Sequence, residues 1–166
     1  MKFILIDRIT ALEPPHRIVG CKALTLAEEY LADHFPTFPV MPGVMMLEAM
    51  VQAASWLVRA TNDFSHSMVV LEEAKNINYK SFVSPGRTLE VSVEAVSIEA
   101  ATSDFKAAGR CGDEEMVKAR LRLRHYNLAD RNPALADVDR KVIAELRQRF
   151  ALLGGPACLK MAAAAV

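Results

Sequence analysis

His34 and Glu48 are the side chains of this sequence whose types and spacing could move protons. Between the imidazole and the carboxyl group run a loop with three prolines and the start of a long apolar segment. Imidazole titrates near neutrality and can take up a proton at working pH, while a carboxyl group among apolar neighbours favours its protonated form and can give one up. Gly43 stands at the junction, where a helix would begin. Backbone N–H groups there are unpaired, the helix dipole is positive, and the lack of a side chain allows close approach to a developing negative charge. Base, acid and charge-stabilising donor are the parts of general acid–base catalysis.

The elements that must position these groups are legible from His34 to Val58. Pro36, Pro39 and Pro42 restrain the backbone, and Pro42-Gly43 opens a segment free of further Gly or Pro until Pro85. That predicts a rigid loop feeding a helix. From Val44 to Val58 the only residues that are neither aliphatic, aromatic nor thioether are Glu48, Gln52 and Ser55, at helical spacings of four and three. A helix so apolar on its other faces is expected to be wrapped by protein, with Glu48 in mostly apolar surroundings and Gln52 one turn on. The plainer reading, a solvated polar stripe and a loop histidine, stays open on spacing alone.

His34-Phe35-Pro36, Pro39-Val40-Met41-Pro42-Gly43-Val44, Glu48-Ala49-Met50 and Gln52-Ala53 resemble the signature of the hot-dog-fold 3-hydroxyacyl-[acyl-carrier-protein] dehydratases. The resemblance extends upstream through Leu5-Ile6-Asp7-Arg8 and Arg17-Ile18-Val19, and downstream from Tyr79 to Val83-Ser84-Pro85-Gly86, covering about three-quarters of the chain. Thr37 stands where the family usually has Gly, and Phe82 and Arg87 where Pro and Asp are usual.

The resemblance implies an α+β hot-dog fold, a curved antiparallel sheet wrapped around the long central helix. It also implies that His34 acts as base, Glu48 as acid and the Gly43 N–H as oxyanion donor. The Val40 carbonyl would orient the His34 ring and Gln52 would hold the Glu48 carboxylate. Phe38, Met45 and Met46 would line an acyl groove between subunits. No cofactor is implied, because the substrate rides on the phosphopantetheine of an acyl carrier protein. The smallest active unit would be a homodimer with shared active sites, and many relatives are trimers of dimers. Two other readings are a non-catalytic hot-dog subunit that binds acyl thioesters, and a hot-dog enoyl-CoA hydratase or thioesterase.

Twenty Lys and Arg balance twenty Asp and Glu, so no global basic field marks a nucleic-acid binder. Cys21, Cys111 and Cys158 lack metal-ligand spacing and are expected to be free thiols in a reducing compartment. The first ten residues lack the apolar length and cleavage site of a signal peptide, and the central helix is too short and too polar for a membrane span, so a soluble cytoplasmic protein is expected.

Glu13-Pro14-Pro15-His16 reads as a turn and Arg17 to Leu24 as a strand. Thr25 to Ala32 is expected to form a short helix with a Thr25/Glu28 capping box. Met68 to Glu73, apolar enough to be buried, and Asn76 to Phe82 are expected as two strands, followed by strands around Leu89–Val93, Thr102–Gly112 and Val117–Leu123. Lys118, Arg120, Arg122 and Arg124 share a strand face and are expected to pair with Glu90 and Glu94; attraction of an acidic carrier protein is the other use. Residues 1–128 form the dehydratase-like domain. Residues 129–166 form a C-terminal extension with a helix over about 136–153, ended by Gly154-Gly155-Pro156, and a frayed Ala-rich tail from Lys160.

Overall fold

In the computed structural model, which describes residues 3–164 and side chains through residue 159, the apolar run becomes helix α1, Gly43–Thr61. Ala, Met, Leu, Glu and Gln fill most of it, and these are strong helix formers. Pro42 caps its start, with the Pro42 carbonyl accepting from the N–H groups of Met45 and Met46. Its C-terminus turns through Asp63 and Phe64, both left-handed, with the Phe64 N–H donating to the Arg59 carbonyl at 2.8 Å.

The strands are β1 Arg8–Glu13, β2 Arg17–Ala23, β3 Met68–Tyr79, β4 Thr88–Ile98, β5 Thr102–Cys111 and β6 Glu114–Tyr126. They form one sheet in the order β1-β2-β4-β5-β6-β3, antiparallel throughout. Alternation of apolar and polar residues directs Leu89, Val91 and Val93 of β4 and Val117, Ala119, Leu121 and Leu123 of β6 into the core. Against them α1 buries Met46, Ala49, Met50, Ala53, Ala54 and Leu57. Full burial of a Met or Leu side chain stabilises by roughly 1.5–3 kcal/mol, so this one helix face anchors the sheet.

Several expectations are corrected. One strand, β3, replaces the two expected over Met68–Phe82: left-handed Asn76 and a register shift between Lys75 and Asn78 absorb the irregularity without breaking the ladder. The Met68–Glu73 part is not fully buried, because β3 is an edge strand and only Val69 there is covered. Thr25–Ala32 gives a turn and a 3-10 turn at Glu29–Leu31 instead of a capped helix; the Glu28 carboxylate is drawn to Lys22 Nζ at 2.6 Å, whose buried ammonium also pairs with Asp7. Glu90 and Glu94 cannot reach the β6 cations because β5 lies between. Among the described residues only Arg122 of the four is in an ion pair, with Asp104 of β5 at 2.9 Å. Strand β1 was not anticipated.

After β6, α2 spans Ala136–Leu152 and left-handed Gly154 ends it. Pro156 then sits in the first turn of a further helix, α3 Gly155–Ala164, which was not anticipated; a missing N–H costs nothing at that position. Of the frayed tail expected from Lys160, residues 160–164 instead continue α3, and residues 165–166 lie outside the described residues. The α2–α3 junction covers the free edge of β1, with the Ile9 N–H donating to the Leu153 carbonyl at 2.8 Å. Phe150 enters the core beside Trp56 and Phe64, with ring centroids 5.9 and 5.3 Å away.

Candidate active site

The loop carrying His34 closes on itself. The Val40 N–H donates to the His34 carbonyl at 3.0 Å, and Phe35 and Phe38 exchange backbone hydrogen bonds at 3.3 and 3.0 Å. His34 Nδ1 lies 2.9 Å from the Val40 carbonyl oxygen. A carbonyl can only accept, so Nδ1 carries a proton, and in the neutral ring Nε2 is then the nitrogen with the free lone pair. The Phe35 ring stacks on the imidazole at 4.2 Å. Thr37, at the tip, is not among the left-handed residues, so the loop does not need the glycine usual there.

On α1, Gln52 Nε2 donates to Glu48 Oε1 at 3.0 Å and to the Phe3 carbonyl at 3.1 Å, while its Oε1 accepts from the Leu5 N–H at 2.9 Å. The Leu5 contact settles which end of the amide faces the carboxyl group. Glu48 Oε1 is therefore an acceptor, and Oε2 is the oxygen left to hold a proton. Glu48 is half-buried, so its surroundings within one chain are less apolar than its helix suggested. Gly43 is the first residue of α1, and its N–H has no acceptor within the helix. A Cβ at Gly43 would stand 3.0 Å from Cε1 of Tyr79, whose hydroxyl is pushed up by burial.

Glu48 and Gln52 line a cavity of about 200 Å³ with Phe3, Ile6, Val51, Trp56 and other residues; His34 is not part of that lining. The structure brings Glu48 and Gln52 together, and separately His34 and Val40. Phe38 is exposed and meets Phe82 edge-on at 6.0 Å, Met45 is half-buried, and Met46, 2% exposed, belongs to the core, because its position on α1 faces the sheet. Sequence reasoning missed Tyr79, whose approach to Gly43 is long-range. It also missed Arg59 on the same cavity, although the stripe of Glu48, Gln52 and Ser55 continues to Arg59 at the next spacing of four. Among the described residues no cluster of three or more His, Cys, Asp or Glu is placed to hold a metal ion.

A single antiparallel sheet curled over one long apolar helix, with a histidine loop leading into that helix, defines a hot-dog fold. The dehydratase heterocomplex ApeI:P from Xenorhabdus doucetiae has the same fold, at a TM-score of 0.66 and 14% identity, over 80% of this chain and 90% of that one. So does a hypothetical thioesterase protein with coenzyme A from Streptococcus pneumoniae, at 0.55 and 13%, over 72% and 84%.

Residues 1–120 match the FabA-like domain family. The chain is 33% identical over 144 residues to the 3-hydroxyacyl-[acyl-carrier-protein] dehydratase FabZ of Solibacter usitatus, covering 86% of this chain and 87% of the relative. It is 32% identical over 132 residues to that of Symbiobacterium thermophilum, covering 80% and 93%. The chain belongs to the FabZ-like dehydratase family within the FabA-like domains.

Proposed function

We propose that this protein dehydrates 3-hydroxyacyl-[acyl-carrier-protein] to the trans-2-enoyl thioester. The observation that carries the reading is the His34 Nδ1 to Val40 carbonyl bond, which leaves Nε2 as a base. His34 Nε2 removes a proton from C2 of the acyl chain, and the negative charge that develops on the thioester oxygen is met by the Gly43 N–H. Glu48 gives its proton to the C3 hydroxyl, which departs as water. His34 is left protonated and Glu48 ionised, and a proton returned through solvent resets the pair. Gln52 holds Glu48 in place, and Phe38 and Met45, which do not line the Glu48 cavity, contribute apolar lining on the His34 side of the groove. No cofactor is assigned to these steps.

The active unit is a homodimer, with His34 of one subunit working beside Glu48 of the other; a trimer of dimers is the larger assembly. Two observations support sharing. The Glu48 cavity of a single chain is not lined by His34, and β3 ends the sheet with a twelve-residue edge on which a second copy can pair. Lys118 and Arg120, outside any ion pair among the described residues, suit the acidic surface of a carrier protein. No helix among the described residues is long and apolar enough to cross a membrane. Retention of both His34 and Glu48 favours an enzyme over a non-catalytic subunit.

The test is conversion of carrier-bound 3-hydroxyacyl chains of several lengths by wild type, His34→Ala and Glu48→Gln. Both variants are expected to lose at least about a hundredfold in kcat while staying folded. Absence of wild-type turnover on every carrier-bound chain would sink the dehydratase reading.

A further inference from the structure

Arg59 and Arg149 line the Glu48 cavity, and the Arg149 charge is close enough to oppose that of Arg59. Among the described residues neither is in an ion pair. Arg59 lies in the last turn of α1, its guanidinium carbon 5.5 Å from the Trp56 ring centroid, and its Nε is buried with no acceptor. Burial, and then the Arg149 charge, pull the Arg59 guanidinium down to about 10. Glu145, one turn before Arg149, lines the adjoining groove but not this cavity. Two half-buried arginines on one cavity, one with a buried orphaned donor, form a site that an anion completes.

The position of that site is informative. Glu48, Gln52, Ser55 and Arg59 follow one another along a single face of α1, so the α-carbons of Glu48 and Arg59 are about 16 Å apart along the helix. Apolar side chains, among them Ile6, Val51, Trp56 and Leu146, line the same cavity. An acyl chain whose C3 lies at Glu48 can thus run past apolar walls toward two cations.

We propose that Arg59 and Arg149 bind a carboxylate at the distal end of the acyl chain, so that the preferred substrates are ω-carboxy-3-hydroxyacyl thioesters. This rests on the dehydratase reading of Glu48. The planar guanidinium matches a carboxylate through paired hydrogen bonds, and the apolar stretch between the two ends suits a carboxylate tethered to a chain better than a free inorganic anion. Arg149 comes from α2, beyond the 1–120 stretch that matches the family, so the selectivity is supplied by the C-terminal extension.

The experiment compares carrier-bound 3-hydroxyacyl chains of equal length ending in a methyl group or a carboxylate, for wild type, Arg149→Ala and Arg149→Lys. Alongside, binding of adipate, suberate and inorganic phosphate to each protein is measured by calorimetry. Wild type is expected to favour the carboxylate chain about tenfold to a hundredfold in kcat/KM, mostly through KM. The ratio should collapse toward one in Arg149→Ala and recover in part in Arg149→Lys.

Turnover of methyl-ended chains with no carboxylate preference, or a preference untouched by Arg149→Ala, overturns the inference and leaves the dehydratase standing. Dicarboxylate binding that Arg149→Ala abolishes, without turnover of any chain, supports the anion site and removes the dehydratase. Phosphate binding as tightly as either dicarboxylate overturns the assignment to a chain end.

Discussion

Replacing Gln52 by Leu separates the two tasks that this amide performs. The Leu5 N–H, in a residue 1% exposed, would lose its only acceptor among the described residues, and an orphaned buried donor costs about 1–3 kcal/mol. The Phe3 carbonyl, in an exposed residue, can turn to water at little cost. With a loss near 2 kcal/mol, Tm should fall by roughly 4–8 °C in a chain of this length. Glu48 would also lose the donor on Oε1 and sample other rotamers, so kcat should fall about tenfold or more while KM moves by less than about threefold. Thermal unfolding and steady-state dehydration of a carrier-bound substrate measure both quantities. A variant with unchanged kcat would refute the positioning role, and one with unchanged Tm would refute the tether to the N-terminal segment.

Phe150→Ala should destabilise by about 3–5 kcal/mol in urea unfolding, because the ring fills the core beside Trp56 and Phe64, whereas Leu152→Ala, 86% exposed two residues on, should stay within about 0.5 kcal/mol. Asp139 accepts from Ser67 Oγ and from the N–H groups of Leu128 and Ala129; burial pushes its carboxyl up, but these donors outweigh that and hold it below the usual aspartate value. A depressed folded value stabilises above the unfolded one, so Asp139→Asn should lower the urea midpoint at neutral pH. The deficit should shrink as pH falls through the folded value. Gly43→Ala should leave stability within about 1 kcal/mol, since the half-exposed Tyr79 ring can yield, yet lower kcat at least about tenfold by crowding the oxyanion donor. Full activity there would remove Gly43 from that role.

Local features were the legible ones. The ring of His34 reaches Val40 six residues on, and Gln52 reaches Glu48 one helical turn back, so short-range spacing contains both contacts. The α1 boundaries followed from Pro42-Gly43 and the apolar run for the same reason. What could not be read depends on partners distant in the chain. Glu28 looked like a cap because nothing local reveals a buried Lys22, and the β6 cations were matched to β4 because the strand order was unknown. Met46 looked like groove lining until the sheet claimed it. Tyr79 beside Gly43, and Arg149 beside Arg59, are tertiary contacts with no local trace.

The most direct test of a shared acid–base site is activity after mixing His34→Ala and Glu48→Gln proteins under conditions that let subunits exchange. Each variant alone should be nearly inactive. If His34 of one subunit works with Glu48 of the other, half of randomly reassociated dimers are mixed and each holds one intact site, so about one quarter of wild-type dehydration should return. No recovery despite demonstrated exchange would contradict the shared site and place both groups within a single chain.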